Sequence, residues 1–110
     1  MEITDSIPKE FIDGLSKKID FSNMKILETL LIEYNIPYIK RRIYDGIQIL
    51  YPDIKHCKCS VVCHRASYGG EYGLLEIYGL LNEEEKENDD VVGHLDYNDV
   101  FERIKKDYEG

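Results

Sequence analysis

The chain is short of positive charge: 14 Lys and Arg stand against 22 Asp and Glu, a formal net charge of −8. Coating bare nucleic acid relies on clustered cations, so the overall balance argues against that class and leaves room only for a local basic patch. No apolar run approaches the ~18 residues of a membrane span, and Met1 to Asp5 form neither a basic n-region nor an apolar h-region. Secretion and membrane insertion are therefore not expected. Cysteines number only three, which cannot all pair within the chain, and no Asn-x-Ser/Thr sequon is present. Reduced thiols in a cytosol are the expectation. Internal repeats, a linker, and a phosphate-loop or calcium-loop fingerprint are also missing.

What is present suffices for a folded domain. The 110 residues are 43% apolar, with nine Tyr and three Phe spread along the chain, and the apolar positions are periodic rather than random. Charge is polarised. Residues 1–37 carry −3, residues 38–66 carry +4, residues 67–95 carry −7 and residues 96–110 carry −2. Most of the acidity sits in Asn82-Glu83-Glu84-Glu85-Lys86-Glu87-Asn88-Asp89-Asp90, six carboxylates against one lysine. Such polarity bears on association and steering, not on fold.

Two helices are expected before the sheet. Ser6 with Pro8 opens the first, whose Ile7, Phe11, Leu15 and Ile19 repeat at spacing four, although Gly14 weakens it. Ser22 begins the second, in which Met24, Leu27, Leu30, Leu31 and Tyr34 share one face. Asn35 and Pro37 end it. From Tyr38 to Pro52, Asp45-Gly46 between alternating residues signals a hairpin. A three-residue loop of Tyr44 to Gly46 pairs Ile43 with Ile47 and Ile39 with Tyr51, gathers one apolar face, and uses Gly46 as the left-handed residue. Arg41 then points inward opposite Ile49. His56 to Arg65 reads as a third strand with Cys57, Cys59, Val61 and Cys63 on one side, and Leu74 to Leu81 as its return. The acidic segment 82–90 follows as a loop or one helical turn capped by Asn82, and Val91 to Leu95 as a short fifth strand. Asp96 with Asp99 forms a capping box, and the Leu95 and Val100 staple starts a last helix over 96–108 through Ile104 and Tyr108. The predicted fold is therefore a single α+β domain: an antiparallel sheet of four to five strands (38–95), two N-terminal helices (1–37) and one C-terminal helix.

Several residue groups invite chemistry. His56, Cys57, Cys59, Cys63, His64 and His94 include zinc-ligand types, but on a strand Cys57 and Cys63 stand roughly 20 Å apart, too far for one ion at ~2.3 Å per sulfur. No metal and no cofactor is expected. A nucleophilic Cys63 gains nothing from His64, because strand neighbours point to opposite faces; only His94 is left to approach it. The glycine-rich turn Ser67 to Gly73, with His64 and Arg65 at its entrance, could cradle an anion on backbone N–H groups, yet its glycines match no phosphate fingerprint. Cys63, His64, Arg65, Ser67 and His94 together are the alternative small-molecule, nucleotide or enzyme site. Tyr38, Lys40, Arg42, Tyr44 and Leu50, opposite the isoleucines of the hairpin, mix aromatic and cationic groups as a nucleic-acid platform does. Tyr and Arg are also the residue types that anchor protein interfaces.

From Asp45 onward, the succession Asp45-Gly46-Ile47-Gln48-Ile49, Val62-Cys63-His64-Arg65-x-Ser67-Tyr68-Gly69, Gly73-Leu74-Leu75-Glu76-Ile77 and Asp90-Val91-Val92-Gly93 through Val100-Phe101 resembles small uncharacterised proteins carried by bacteriophages and prophages. The resemblance covers about the last two-thirds of the chain and carries over no activity, cofactor or catalytic residue. It implies a context, since small phage proteins often act by binding and disabling one host protein, including components of host defence. The expectation is a non-enzymatic protein in the cytoplasm of a bacterial host that binds a host macromolecule, a protein before a nucleic acid. Glu83, Glu84, Glu85, Glu87, Asp89 and Asp90 would steer it to a basic partner, with Tyr68 and Tyr72 as contact anchors.

Overall fold

In the computed structural model, which describes residues 19–110, helix α1 (Ser22–Glu33) starts where Asp20 Oδ1 accepts the Ser22 N–H at 2.9 Å and the Ser22 hydroxyl at 2.5 Å. Asp20 thus satisfies an amide that the first turn leaves open, and the helix begins at Ser22 as the sequence predicts. The helix stops as expected. Asn35 takes φ 57°, its N–H donates to the Ile32 carbonyl at 3.1 Å, and the Ile36 N–H donates to the Leu31 carbonyl at 2.9 Å. That double bond pattern is a Schellman cap, closed by contact of buried Ile36 with the core. The helix predicted over Ile7, Phe11 and Leu15 lies outside the described residues.

Five strands follow: β1 (Ile39–Ile43), β2 (Gly46–Tyr51), β3 (Cys59–Cys63), β4 (Leu75–Tyr78) and β5 (Val91–Leu95). They form one antiparallel sheet in the order β1-β2-β3-β4-β5. A single 3₁₀ turn (Gly70–Tyr72) lies between β3 and β4, helix α2 (Glu83–Asn88) between β4 and β5, and helix α3 (Tyr97–Glu109) closes the chain. The α+β class and the antiparallel sheet agree with the sequence reading, with three helices among the described residues. Strand ends are tighter than expected. Cys57 falls in the turn before β3 and is exposed, while Cys59, Val61 and Cys63 keep the predicted alternation and are buried.

Helices α1 and α3 cover one face of the sheet. Met24, Leu27 and Leu31 meet Val100, Phe101 and Ile104 above Ile49, Tyr51, Val61, Leu75 and Ile77, all in one buried cluster. Asn23 ties the corners together: its side-chain N–H donates to the Gly73 carbonyl at 3.2 Å, and its Oδ1 accepts from the Tyr97 N–H at 3.0 Å.

The first hairpin is paired one residue away from the expected register. Ile43 faces Gly46 and Ile39 faces Leu50, so the loop is Tyr44 and Asp45 alone. A one-residue slip moves every side chain to the other face. Lys40 and Arg42 stand opposite Ile49 and Ile47 on the helix side, whereas Ile39, Arg41 and Ile43 join Gln48 and Leu50 on the open face. Arg41 is therefore exposed, not inward, and its Nε donates to Gln48 Oε1 at 2.6 Å. Two local facts explain the slip. Tyr44 accepts the left-handed conformation (φ 50°), and Gly46 is pressed against β3, where a Cβ would lie 2.1 Å from the Cys63 carbonyl oxygen.

Candidate functional site

Most of the acidic segment is a short helix, α2, fastened at its N-terminus and through Glu85. Asn82 Oδ1 accepts the Glu85 N–H at 2.8 Å and Glu85 Oε1 accepts the Asn82 N–H at 2.9 Å, a capping box that settles where α2 begins. Arg103 of α3 then grips Glu85 with two guanidinium nitrogens, Nη1 to Oε1 at 2.8 Å and Nη2 to Oε2 at 2.6 Å, and donates to the Leu80 carbonyl at 3.0 Å. Parallel N–H···O bonds of this kind are among the strong ones. The Arg103 hydrogen bonds, with help from the Asn82 amide, hold the Glu85 carboxyl down at about 2. Glu85 is consequently a fastener, not a member of the outward patch.

Glu83, Glu84, Glu87, Asp89 and Asp90 remain on the surface. Lys86 lies 3.7 Å from Glu83; among the described residues the other four carboxylates belong to no ion pair. The stretch that feeds this helix is contorted, with Gly79 at φ 94° and Leu80 at φ 55°. Leu80 and Leu81 pack on the core, yet they also line two hollows. One of about 610 Å³ runs beside Arg103, Lys106 and Asp107; the other, about 260 Å³, is bounded by Tyr78, Gly79, Leu80, Leu81, Lys86, Asp89 and Asp90.

The tyrosines nominated as anchors are exposed but unequal in place. Tyr68 lies over Gly93, where a Cβ would come 2.1 Å from its own Cβ, and its carbonyl accepts the His94 N–H at 3.1 Å. That puts it over β5, at the residue three beyond Asp90. Tyr72 sits in the 3₁₀ turn next to Gly73, which abuts Asp20 at the start of α1, away from the patch. Sequence reasoning passed over Tyr78, which is 59% exposed, opposite Val91 in the sheet, and on the wall of the smaller hollow. The alternation in β4, Leu75 and Ile77 in with Glu76 and Tyr78 out, was the available signal.

The alternative site is not assembled as a dyad. Cys63 is buried, its thiol donates to the Gly70 carbonyl at 4.0 Å, and burial first, with the Asp20 and Asp45 charges second, pushes it up to about 11. β4 lies between Cys63 and His94, and His94 is exposed. The His64 ring is tilted 59° against that of Tyr44 with centroids 5.6 Å apart, and its Nδ1 accepts the Ala66 N–H at 3.1 Å. Ser67 Oγ donates to the His64 carbonyl at 2.8 Å and accepts the His64 N–H at 3.0 Å. Arg65 pairs with Asp45 at 3.5 Å, and together with Tyr44, His64 and Ala66 they line a hollow of about 680 Å³. The glycine turn spends its amides internally: Ser67, Gly70, Tyr72, Gly73 and Leu74 donate to turn carbonyls at about 3.0 Å, and Tyr68 donates to Glu76 at 2.6 Å. Few N–H groups are left to cradle an anion. Among the described residues no group of three or more His, Cys, Asp or Glu is placed to hold a metal ion.

Thiol chemistry follows from this placement. Burial raises Cys59 to about 12, with the Cys57 and Asp107 charges adding to it. One thiol, Cys57, is expected to react with a disulfide reagent in the native protein and three in denaturant; fast titration of a second native thiol would contradict the burial of Cys59 and Cys63.

The hairpin platform is also rearranged. Tyr38 donates to Glu28 at 2.8 Å and Lys40 reaches Glu28 at 3.2 Å, so both face α1. Burial, then the Glu28 hydrogen bond, raises the Tyr38 phenol to about 12. Leu50 lies on the opposite face and is buried, while Tyr44 caps the loop at 94% exposure. The set Tyr38, Lys40, Arg42, Tyr44 and Leu50 does not form one surface.

No protein-family model matches the chain, and neither a curated protein nor a solved structure is significantly similar to it. No helix among the described residues is long and apolar enough to cross a membrane.

Proposed function

We propose that the chain is a small acidic binding protein of phage or prophage type, which attaches to a basic surface of a host macromolecule, a protein, in the bacterial cytoplasm and inhibits it. One observation carries this reading. Glu83, Glu84 and Glu87 are exposed on a helix that its capping box and the Glu85 to Arg103 fork fasten to the domain, and Asp89 and Asp90 are exposed just past its C-terminal end. Fixed like charges of this density raise the rate of encounter with an oppositely charged partner and reject nucleic acid. The resemblance to phage proteins supplies the context, and a defence component is the kind of target that context suggests.

The test neutralises five carboxylates and spares the fastener: Glu83→Gln, Glu84→Gln, Glu87→Gln, Asp89→Asn and Asp90→Asn, with Glu85 kept. The tagged wild-type protein should enrich one host protein from bacterial lysate, releasable by salt. The neutralised protein should associate with it about tenfold or more slowly at low salt, with the difference narrowing as salt rises. Equal association rates at every salt concentration would end the steering claim.

A further inference from the structure

The smaller hollow beside α2 has a floor of one chemistry and a rim of another. Gly79, Leu80 and Leu81 line it with backbone and aliphatic carbon, Tyr78 stands at its side, and Asp89 and Asp90 lie at its edge. At about 260 Å³ it is smaller than the ~300–1,000 Å³ of sites that enclose whole small molecules, and suits one bulky aliphatic side chain. Its shape is enforced. A left-handed leucine costs ~1–2 kcal/mol and persists only where its surroundings over-determine it. Here Arg103 holds the Leu80 carbonyl, and Gly79 passes so close to Lys58 that a Cβ would lie 2.3 Å from its carbonyl oxygen. Asp89 and Asp90 have no cation of their own among the described residues, and Lys86, the cation on the rim, is 3.7 Å from Glu83.

We propose that this hollow is the anchor pocket of the partner surface. It receives one Leu or Met side chain from a partner segment that carries Lys or Arg within two residues of it, and those cations rest on Asp89 and Asp90. The proposal rests on the partner-binding reading and adds to it the sequence chemistry of the segment recognised. Charge complementarity selects this occupant. A phosphate backbone is repelled at the rim, and an acidic peptide likewise, whereas a basic segment with an aliphatic residue satisfies both floor and edge. Binding energy concentrates where such an apolar anchor enters a pocket sheltered from water, and the flanking charges set orientation and approach.

The test is an NMR titration of the ¹⁵N-labelled full chain with three capped pentapeptides: Gly-Lys-Leu-Lys-Gly, Gly-Lys-Ser-Lys-Gly and Gly-Glu-Leu-Glu-Gly. The first should shift the Gly79, Leu81 and Asp90 amide signals saturably, and the other two should bind about tenfold or more weakly. Tyr78→Ala and Asp90→Asn should each weaken the first peptide by a similar factor while the remaining spectrum stays in place; both side chains are exposed, so two independent variants guard against a folding artefact. Equal binding of the serine peptide, shifts confined to another surface, or no saturation up to about 10 mM would overturn the pocket. The two readings fail separately. If the five-site charge variant loses its host partner while the leucine peptide shows no preference, the charge reading survives and the pocket does not. If the leucine peptide binds at Gly79 but that variant keeps its partner at full rate, the pocket stands and the steering claim falls.

Discussion

Replacing Arg103 by methionine is expected to lower the thermal midpoint by about 10 °C and to weaken the salt-sensitive association of the acidic patch. Methionine retains much of the aliphatic stem and removes every donor. Three contacts disappear, two to Glu85 and one to the Leu80 carbonyl, and the Glu85 carboxylate is left without its cation. The two side chains are 22% and 20% exposed, so solvent replaces those contacts only in part. A loss of about 2–3 kcal/mol follows, less than for a fully buried pair and well above the ~0–1 kcal/mol of an open surface pair. The contorted Gly79 and Leu80 stretch loses its clamp at the same time, so α2 should fray and its carboxylates lose their fixed spacing. Calorimetry reads the first effect and association kinetics the second. A midpoint within about 2 °C of wild type would mean that the fork contributes nothing to stability.

Acid should reveal the same fork. The Glu85 carboxyl is held at about 2 in the folded protein, below its ordinary 4.5. A carboxyl depressed by folding contributes fully above its unfolded value and loses that contribution as pH falls towards the folded one. The stability gap between wild type and Glu85→Gln should accordingly be widest at neutral pH and should close between about pH 4.5 and pH 2. Asp107 is also lowered, by its Tyr51 hydrogen bond and then by Lys58, but it is common to both proteins and cancels in the difference. Denaturant melts at pH 7, 4 and 2.5 measure the gap. A gap that stays constant over that range would show that folding does not favour the ionised Glu85 carboxyl.

The parts of this protein that were legible in the sequence are those set by neighbours in the chain. The capping box of Asp96 with Asp99 and the cap at Asn82 each lie within one helical turn and formed as expected, although the reciprocal Glu85 bond that completes a box at Asn82 was not foreseen. The left-handed Asn35 and the inward alternation of Cys59, Val61 and Cys63 also formed as expected. What escaped depends on distance. Glu85 looked like one more patch carboxylate because its partner Arg103 is 18 residues away, on a helix whose relation to α2 no local pattern encodes. Tyr78 escaped for a similar reason, since its neighbours Asp89 and Asp90 meet it only through the pairing of β4 with β5. The hollow exists because Gly79 and Leu80 both turn left-handed, and nothing in the residue type of Leu80 announces that. The hairpin misled in a more instructive way, because Asp45-Gly46 is a strong local turn signal that tertiary packing overrode.

That override can be tested by substituting the two residues that compete for the left-handed position. Gly46→Ala is expected to cost about 3 kcal/mol or more, a drop of roughly 12 °C in the midpoint. The alanine Cβ would meet the Cys63 carbonyl oxygen at 2.1 Å and the His64 Cα at 2.7 Å, both backbone atoms that move only if the end of β3 moves. The Tyr44 ring, which meets His64 at a tilt, would lose its seat in consequence. Tyr44→Gly should behave oppositely. It relieves a left-handed tyrosine worth ~1–2 kcal/mol, against the greater chain entropy of glycine at ~0.5–1 kcal/mol and the loss of an almost fully exposed ring. Its net effect should lie between zero and about 1 kcal/mol of stabilisation. Under the register in which Gly46 is the left-handed residue of a three-residue loop, the ordering changes: Gly46→Ala would cost only the ~1–2 kcal/mol of an L-residue at positive φ, and Tyr44→Gly would destabilise through entropy alone. The sign of the Tyr44→Gly effect thus separates the two registers, and with them the placement of Lys40 beside Glu28 rather than on a free cationic face.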